Sequence, residues 1–239
     1  MKLSQFRVLT FDCYGTLIDW ESGIHAALAP LLGRLGRAPS RDAALEAFAR
    51  HESAQERETP ALRYAELLAA VHRRLAAEWG VEPREEEDRR FGASVPDWPA
   101  FADSPDALLY LKRHYKLVIL SNVDRAGFAA SNRRLGVEFD AVFTAEDIGS
   151  YKPDPANFHY MLDRLAERGH GKAEILHTAQ SLFHDHVPAK AIGLSTAWIN
   201  RRHGKTGPGA TRPTPPVTPD FVANSMGEFA AQHQALRRA

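Results

Sequence analysis

Hydrophobic and polar positions along the 239-residue chain follow two different periods. Five short runs, at 6–11, 116–120, 139–144, 174–178 and 196–200, are of strand length and apolar on both faces, as suits strands covered from both sides. Between the later runs lie segments with apolar residues at helical spacing, at 105–114, 125–135, 155–168 and 187–193. Strands alternating with helices predict a parallel, doubly wound, Rossmann-like α/β sheet with right-handed crossovers.

Residues 22–92 break the alternation, carrying helical periodicity and no strand pattern. Ser40-Arg41-Asp42 reads as a helix start and Gly80 as a stop, and Pro96, Pro99 and Pro105 mark the return to the sheet. The expected organisation is an α/β core of residues 1–18 and 97–239 with a helical domain, 19–96, inserted after the first strand. Residues 203–219, rich in Pro and Gly, are expected to form a long surface loop.

Hydrophobic residues at 44 % and charged residues at 25 % give ample material for a core. Thirty basic residues balance thirty acidic ones, so no net field draws nucleic acid or an anionic membrane. Cys13 is the single cysteine, which suits a reducing cytoplasm. The stretch MKLSQFRVLTFD meets charge too early for a secretory signal, and no apolar run reaches the ~20 residues of a membrane span. A cytoplasmic enzyme acting on a small molecule is the expectation, without nucleic-acid or membrane partners.

In parallel α/β sheets, ligands sit outside the carboxyl ends of the strands. Asp12 follows the first run, Ser121 and Asn122 the second, Lys152 the third after a short link, and Gln180, Ser181 and Asp185 the fourth. Two carboxylates, an ammonium and small polar groups at successive strand ends predict an active site. A lysine there can lower a carboxylate's pKa and neutralise its charge, so Asp12 reads as a nucleophile with Lys152 beside it. The plainer readings are a turn aspartate and an exposed lysine. Asp19 reads as structural, and Cys13, one step along the strand from Asp12, should face the other side and be buried. His184-Asp185-His186 has the residue types of a metal site, but neighbours in one loop seldom share a centre.

The motifs Asp12-x-Tyr14-Gly15-Thr16-Leu17, Ser121-Asn122, Tyr151-Lys152-Pro153 and Asp185 before an Ala-rich helix together resemble the four motifs of the haloacid dehalogenase superfamily, over essentially the whole chain. YGTL, LSN, YKPD and TAWINR make the likeness strongest to its 2-haloacid dehalogenase (type II) branch. The resemblance implies Asp12, Lys152 and Asp185 as catalytic residues, with Tyr14, Thr16, Ser121, Asn122 and Gln180 around a small anionic substrate. It further implies a cap arginine that holds the departing halide; Arg50 is the best positional match and Arg63 the next. Members of the branch are often dimers, so a homodimer is among the expectations. Trp20 either lines the opening between cap and core or packs against the hinge.

Phosphatases of the superfamily carry Asp-x-Asp, whose second acid protonates the leaving alcohol. Tyr14 holds that position here, and a phenol with a reference pKa near ~10 is a poor acid at neutral pH. Halide leaves as a stable anion and needs no proton. Magnesium wants several oxygens, and Gln180 stands where the phosphatases supply an acid, so the expected site has no metal or other cofactor. The alternatives are a Mg2+-dependent phosphatase, with Asp12 and Asp185 as ligands, and a non-catalytic member that binds an anion. Two positions depart from the dehalogenase pattern: Leu182 replaces the asparagine that orients the hydrolytic water, and Phe158 replaces a tyrosine. Gln180 or His184 could supply the lost polar group.

Overall fold

The computed structural model of the protein describes residues 1–205 and 209–238. At its centre, parallel strands β1 (Val8–Phe11), β2 (Lys116–Ser121), β3 (Ala141–Thr144), β4 (Ile175–Ala179), β5 (Ser195–Ile199) and β6 (Phe221–Ala223) form one sheet in the order β3-β2-β1-β4-β5-β6. The chain winds outward from β1 through β2 to β3, then crosses to β4 and winds the other way. The point of reversal lies between β1 and β4, where a crevice opens at the carboxyl edge.

Period-two alternation accounts for burial on both faces. Leu9, Phe11, Leu117 and Ile119 join one apolar cluster, while Val8, Val118 and Leu120 join the other. Cys13 falls in the first cluster and is fully buried, so it continues the Leu9–Phe11 face while Asp12 takes the opposite one.

Between β1 and β2 run α1 (Trp20–Ala27), α2 (Ala29–Leu32), α3 (Arg41–Glu58), α4 (Tyr64–Glu78), α5 (Glu85–Gly92) and α6 (Ser104–Lys112). After β2 comes α7 (Arg125–Leu135), after β3 come α8 (Ala145–Ile148) and α9 (Pro155–Ala166), after β4 comes α10 (Val187–Ala191), and after β6 comes α11 (Met226–Arg238). Capping sets the helix starts: Asp19 accepts the Ser22 N–H at the head of α1, and Ser40 accepts the Ala43 N–H at the head of α3. Asp19 is thus a capping residue. Of the expected loop 203–219, residues 206–208 lie outside the described residues. Its other residues form no helix or strand and are mostly exposed, as expected, but Ala210 and Thr211 are buried and the Ala210 N–H bonds Glu21 Oε1 at 3.1 Å.

The helical insertion joins the sheet through a tight seam. Asp19 N–H donates to the Pro99 carbonyl at 2.7 Å, and Ile18 bridges to Ala100. Trp98, 1 % exposed, meets the Tyr14 ring edge-on at 5.5 Å and donates its indole N–H to Ser94 Oγ at 3.1 Å. Gly23 on α1 leaves room for that indole, because a Cβ there would lie 2.3 Å from Trp98 Cγ. Gly23→Ala should therefore destabilise the protein by about 1–3 kcal/mol through overpacking. Urea unfolding of the two proteins measures this, and an unchanged midpoint would refute the close fit.

Candidate active site

The site grows from the turn that ends β1. Asp12 stays in the ladder through its N–H to the Thr178 carbonyl at 3.1 Å, and the chain then turns sharply at Gly15, whose φ of 91° lies in the left-handed region open to glycine. Thr16, on that turn, donates to Asp12 Oδ2 at 2.8 Å and accepts the Gln180 N–H at 2.9 Å. One hydroxyl thereby ties the carboxylate to the end of β4.

Lys152 fills the centre of the site. Its Nζ lies 2.6 Å from Asp185 Oδ1, 3.0 Å from Asp12 Oδ1 and 3.0 Å from the Leu120 carbonyl, which uses all three ammonium protons. Asn122 fixes its backbone, accepting the Lys152 N–H at 2.7 Å and donating Nδ2 to the Lys152 carbonyl at 2.9 Å. Burial would drain the lysine's charge, but Asp12 and Asp185 outweigh it and hold its pKa above the ordinary value.

The two aspartates differ. Burial disfavours both ions. On Asp185 the nearer Lys152 and the His177 Nε2 at 2.9 Å overcome it, holding that carboxyl below the usual range. On Asp12 burial prevails and raises the carboxyl, with the Asp185 charge adding to the effect. Asp12 is therefore the more basic carboxylate of the pair.

A π-helical turn, Leu182–His186, follows β4 and sends its polar side chains in different directions. Asp185 reaches Lys152, His186 Nε2 bonds the Ala179 carbonyl at 2.9 Å, and His184 Nε2 comes within 3.8 Å of Glu56 Oε2 from the insertion. These three residues thus share no metal centre. Burial keeps the His184 and His186 rings neutral, with pKa values lowered to about 4.

Asp12, Tyr14, Ser121, Asn122, Lys152 and Asp185 line one pocket of about 30 Å3. Thr16 acts from behind Asp12. Trp20 lines the opening and also packs edge-on against Phe48 of the insertion. Tyr14 presents no free phenol, because its hydroxyl pairs with Ser131 Oγ at 2.9 Å and burial pushes its pKa well up. Gln180 lies outside this pocket: its backbone carbonyl accepts the Trp198 indole N–H at 2.9 Å, and its side chain flanks Gly15.

Arg50 stands elsewhere as well. It sits on the outer face of α3, with its side chain 58 % exposed and paired with Glu78 at 2.8 Å. Arg63 is 70 % exposed and faces Glu146. In helix α3 the positions that face the sheet are two and six residues beyond Arg50, and these carry Glu52 and Glu56. The sequence reading missed both glutamates and Tyr64. The i, i+4 spacing of Glu52 and Glu56 was visible, but a helical carboxylate pair ordinarily marks a solvated face.

Glu52 accepts the Tyr64 hydroxyl at 2.6 Å and Glu56 accepts Asn122 Nδ2 at 3.0 Å. Burial pushes Glu52 up to about 8 against that hydrogen bond. It raises Glu56 well above the ordinary value, and the Glu52 charge adds to it.

The donor set fits magnesium poorly. Asp12 Oδ1 and Asp185 Oδ1 both converge on an ammonium, Asp12 Oδ2 is held by Thr16, and only Asp185 Oδ2 remains, buried without a partner. An octahedral, oxygen-rich shell cannot be drawn from that remainder.

The matching family model is that of the haloacid dehalogenase-like hydrolases, over residues 6–177, and the chain belongs to that family. It is 27 % identical over 210 residues to an (S)-2-haloacid dehalogenase of Burkholderia cepacia, covering 84 % of this chain and 85 % of the relative. A second (S)-2-haloacid dehalogenase, from Pseudomonas putida, is 26 % identical over 214 residues, covering 84 % and 88 %. Among solved structures, an L-2-haloacid dehalogenase superposes with a TM-score of 0.76 at 25 % identity, covering 96 % of this chain and 99 % of the other. No described helix is long and apolar enough to cross a membrane.

The raised glutamates leave a signature in stability. In the fold Glu52 keeps its proton to about pH 8, whereas the unfolded chain releases it near 4.5, so the folded state holds more protons between those limits and stability falls as pH rises through them. His184 and His186 act in the opposite sense only below 6.5. From pH 7 to 8, Glu52→Gln should show a shallower loss of unfolding free energy than the parent in urea titrations. Parallel slopes would show Glu52 to be ionised already at pH 7.

Proposed function

We propose that the protein is a hydrolytic dehalogenase that converts a short 2-haloacid to a 2-hydroxy acid through an ester on Asp12. The observation that carries this reading is the Lys152 ammonium between Asp12 and Asp185, with position 14 occupied by a phenol committed to Ser131. A nucleophile and its counter-cation are present, and the acid that an alcohol leaving group requires is missing from its phosphatase position.

In the first step an Asp12 oxygen attacks C2 from the side opposite the halogen. The C–O bond forms as the carbon–halogen bond breaks, and halide departs with the bonding pair. The Ser121 hydroxyl, which lines the pocket without a partner, is the donor available to the substrate carboxylate. In the second step water attacks the ester carbonyl carbon, the acyl C–O bond breaks, and the 2-hydroxy acid leaves with the oxygen that came from Asp12. Asp185 Oδ2 and His184 Nε2, which are buried and take no hydrogen bond, are the acceptors available for the water's proton, and that proton then passes to the departing alkoxide, so that the product leaves as the 2-hydroxy acid and the base is regenerated. Leu182 has no polar side chain to orient that water as asparagine would. The relatives' names support the substrate class, and the chain's own Asp–Lys–Asp geometry supports the covalent route.

A single turnover of 2-chloropropionate in H2-18O, with enzyme in excess, should place the label on Asp12 and leave the first product unlabelled. Asp12→Asn should release no halide. Label appearing directly in the product would exclude the ester, and phosphate release from an aryl phosphate that is abolished by chelator would replace this reading with the phosphatase.

A further inference from the structure

The wall opposite the nucleophile is built to accept hydrogen bonds. Glu52 and Glu56, on successive turns of α3, are 2 % and 6 % exposed and line the same pocket as Asp12. Most side-chain donors around them are committed, the Ser121 hydroxyl and the His184 ring being the exceptions. The Tyr64 hydroxyl serves Glu52, the Asn122 amide serves Glu56 and the Lys152 carbonyl, and Lys152 spends its three protons on Asp12, Asp185 and Leu120. The Trp20 indole N–H lies on another side, against Gly15. Arg57 is exposed and borders a separate cavity, of about 310 Å3, that shares Glu56 and Lys152 with the site.

Among the described residues neither glutamate forms an ion pair with a lysine or arginine, and Glu56 has only the neutral His184 ring, at 3.8 Å. One oxygen on each glutamate takes no hydrogen bond from another described side chain. His184 Nε2, 3.8 Å from Glu56 Oε2, and Ser121 Oγ are buried and make no hydrogen bond. Ser181 Oγ accepts the His184 backbone N–H at 3.0 Å and also meets His184 Nδ1 at 3.2 Å, so the ring's tautomer sets whether Nε2 accepts or donates. Buried carboxyls without a cation are costly, and a ligand that brings positive charge and N–H donors relieves that cost.

We infer that Glu52 and Glu56 are specificity residues that receive an ammonium group of the substrate, so that the haloacid turned over here carries an amino group on the side facing the insertion. A plain 2-haloacid offers that wall only carbon, hydrogen and halogen. An amino-substituted haloacid places its carboxylate at the Ser121 hydroxyl and its ammonium between the glutamates. This inference rests on the pocket being the substrate site, as in the proposed reaction, but its test does not pass through catalysis.

β-Alanine and propionate share one carbon framework and differ by the ammonium, and neither carries a halogen. Titration calorimetry at pH 7 should find β-alanine bound at least about ten-fold more tightly, as a charge-assisted contact provides. In the Glu52→Gln/Glu56→Gln double variant the two affinities should fall within about two-fold of each other, with propionate binding retained as evidence that the variant folds. Equal or tighter propionate binding by the parent, a preference that survives in the double variant, or no binding of either ligand would overturn the inference. Halide release from 2-chloropropionate judges the proposed reaction separately.

Discussion

Everything at the carboxyl edge is arranged around one buried ammonium. Lys152 is 1 % exposed, and its charge persists there because Asp12 and Asp185 stand at hydrogen-bond distance while a backbone carbonyl takes the third proton. Remove the lysine and two carboxylates would face each other in a low dielectric. Remove either aspartate and the ammonium would lose half of its compensation. The sheet order follows from the same demand, since β1, β2 and β4 must be neighbours for Asp12, the Leu120 carbonyl and the turn carrying Asp185 to meet one Nζ. The triad is also asymmetric. Asp185, nearer the lysine and bonded by His177, is the fixed charge, and Asp12, whose carboxyl burial raises, is the more basic of the two.

The sheet was legible because period two and period 3.6 differ so plainly in this chain. All five expected strands are present, shifted by at most two residues at their ends. β6 escaped notice because three residues after a proline-rich stretch carry too little pattern, and no sequence cue singled out α11 behind it. Asp12, Ser121, Asn122, Lys152 and Asp185 could be found from position alone, since each follows a strand directly or by a short link.

The insertion was harder to read. Helical periodicity says which faces are apolar, but it does not say which polar residue on a buried face looks into a site. Arg50 and Glu52 differ by two positions, about 200° around a helix, and end on opposite sides of α3. Arginine was expected in the pocket because a departing anion needs a cation; the helix phase puts carboxyls there instead. The chemistry of that wall is consequently set by desolvation, which favours neutral acids until a ligand supplies charge.

Thr10 and His177 are cross-strand partners on β1 and β4, and their side chains share a hydrogen bond of 2.9 Å inside the sheet while the other ring nitrogen holds Asp185. A slip of one residue between these strands would strand both polar groups in an apolar core and swing Asp185's anchor to the wrong face. The pair therefore works as a registration key. The alignment of the two central strands and the charge balance of the pocket are set by one contact, so this sheet cannot assemble out of step and still present an intact site.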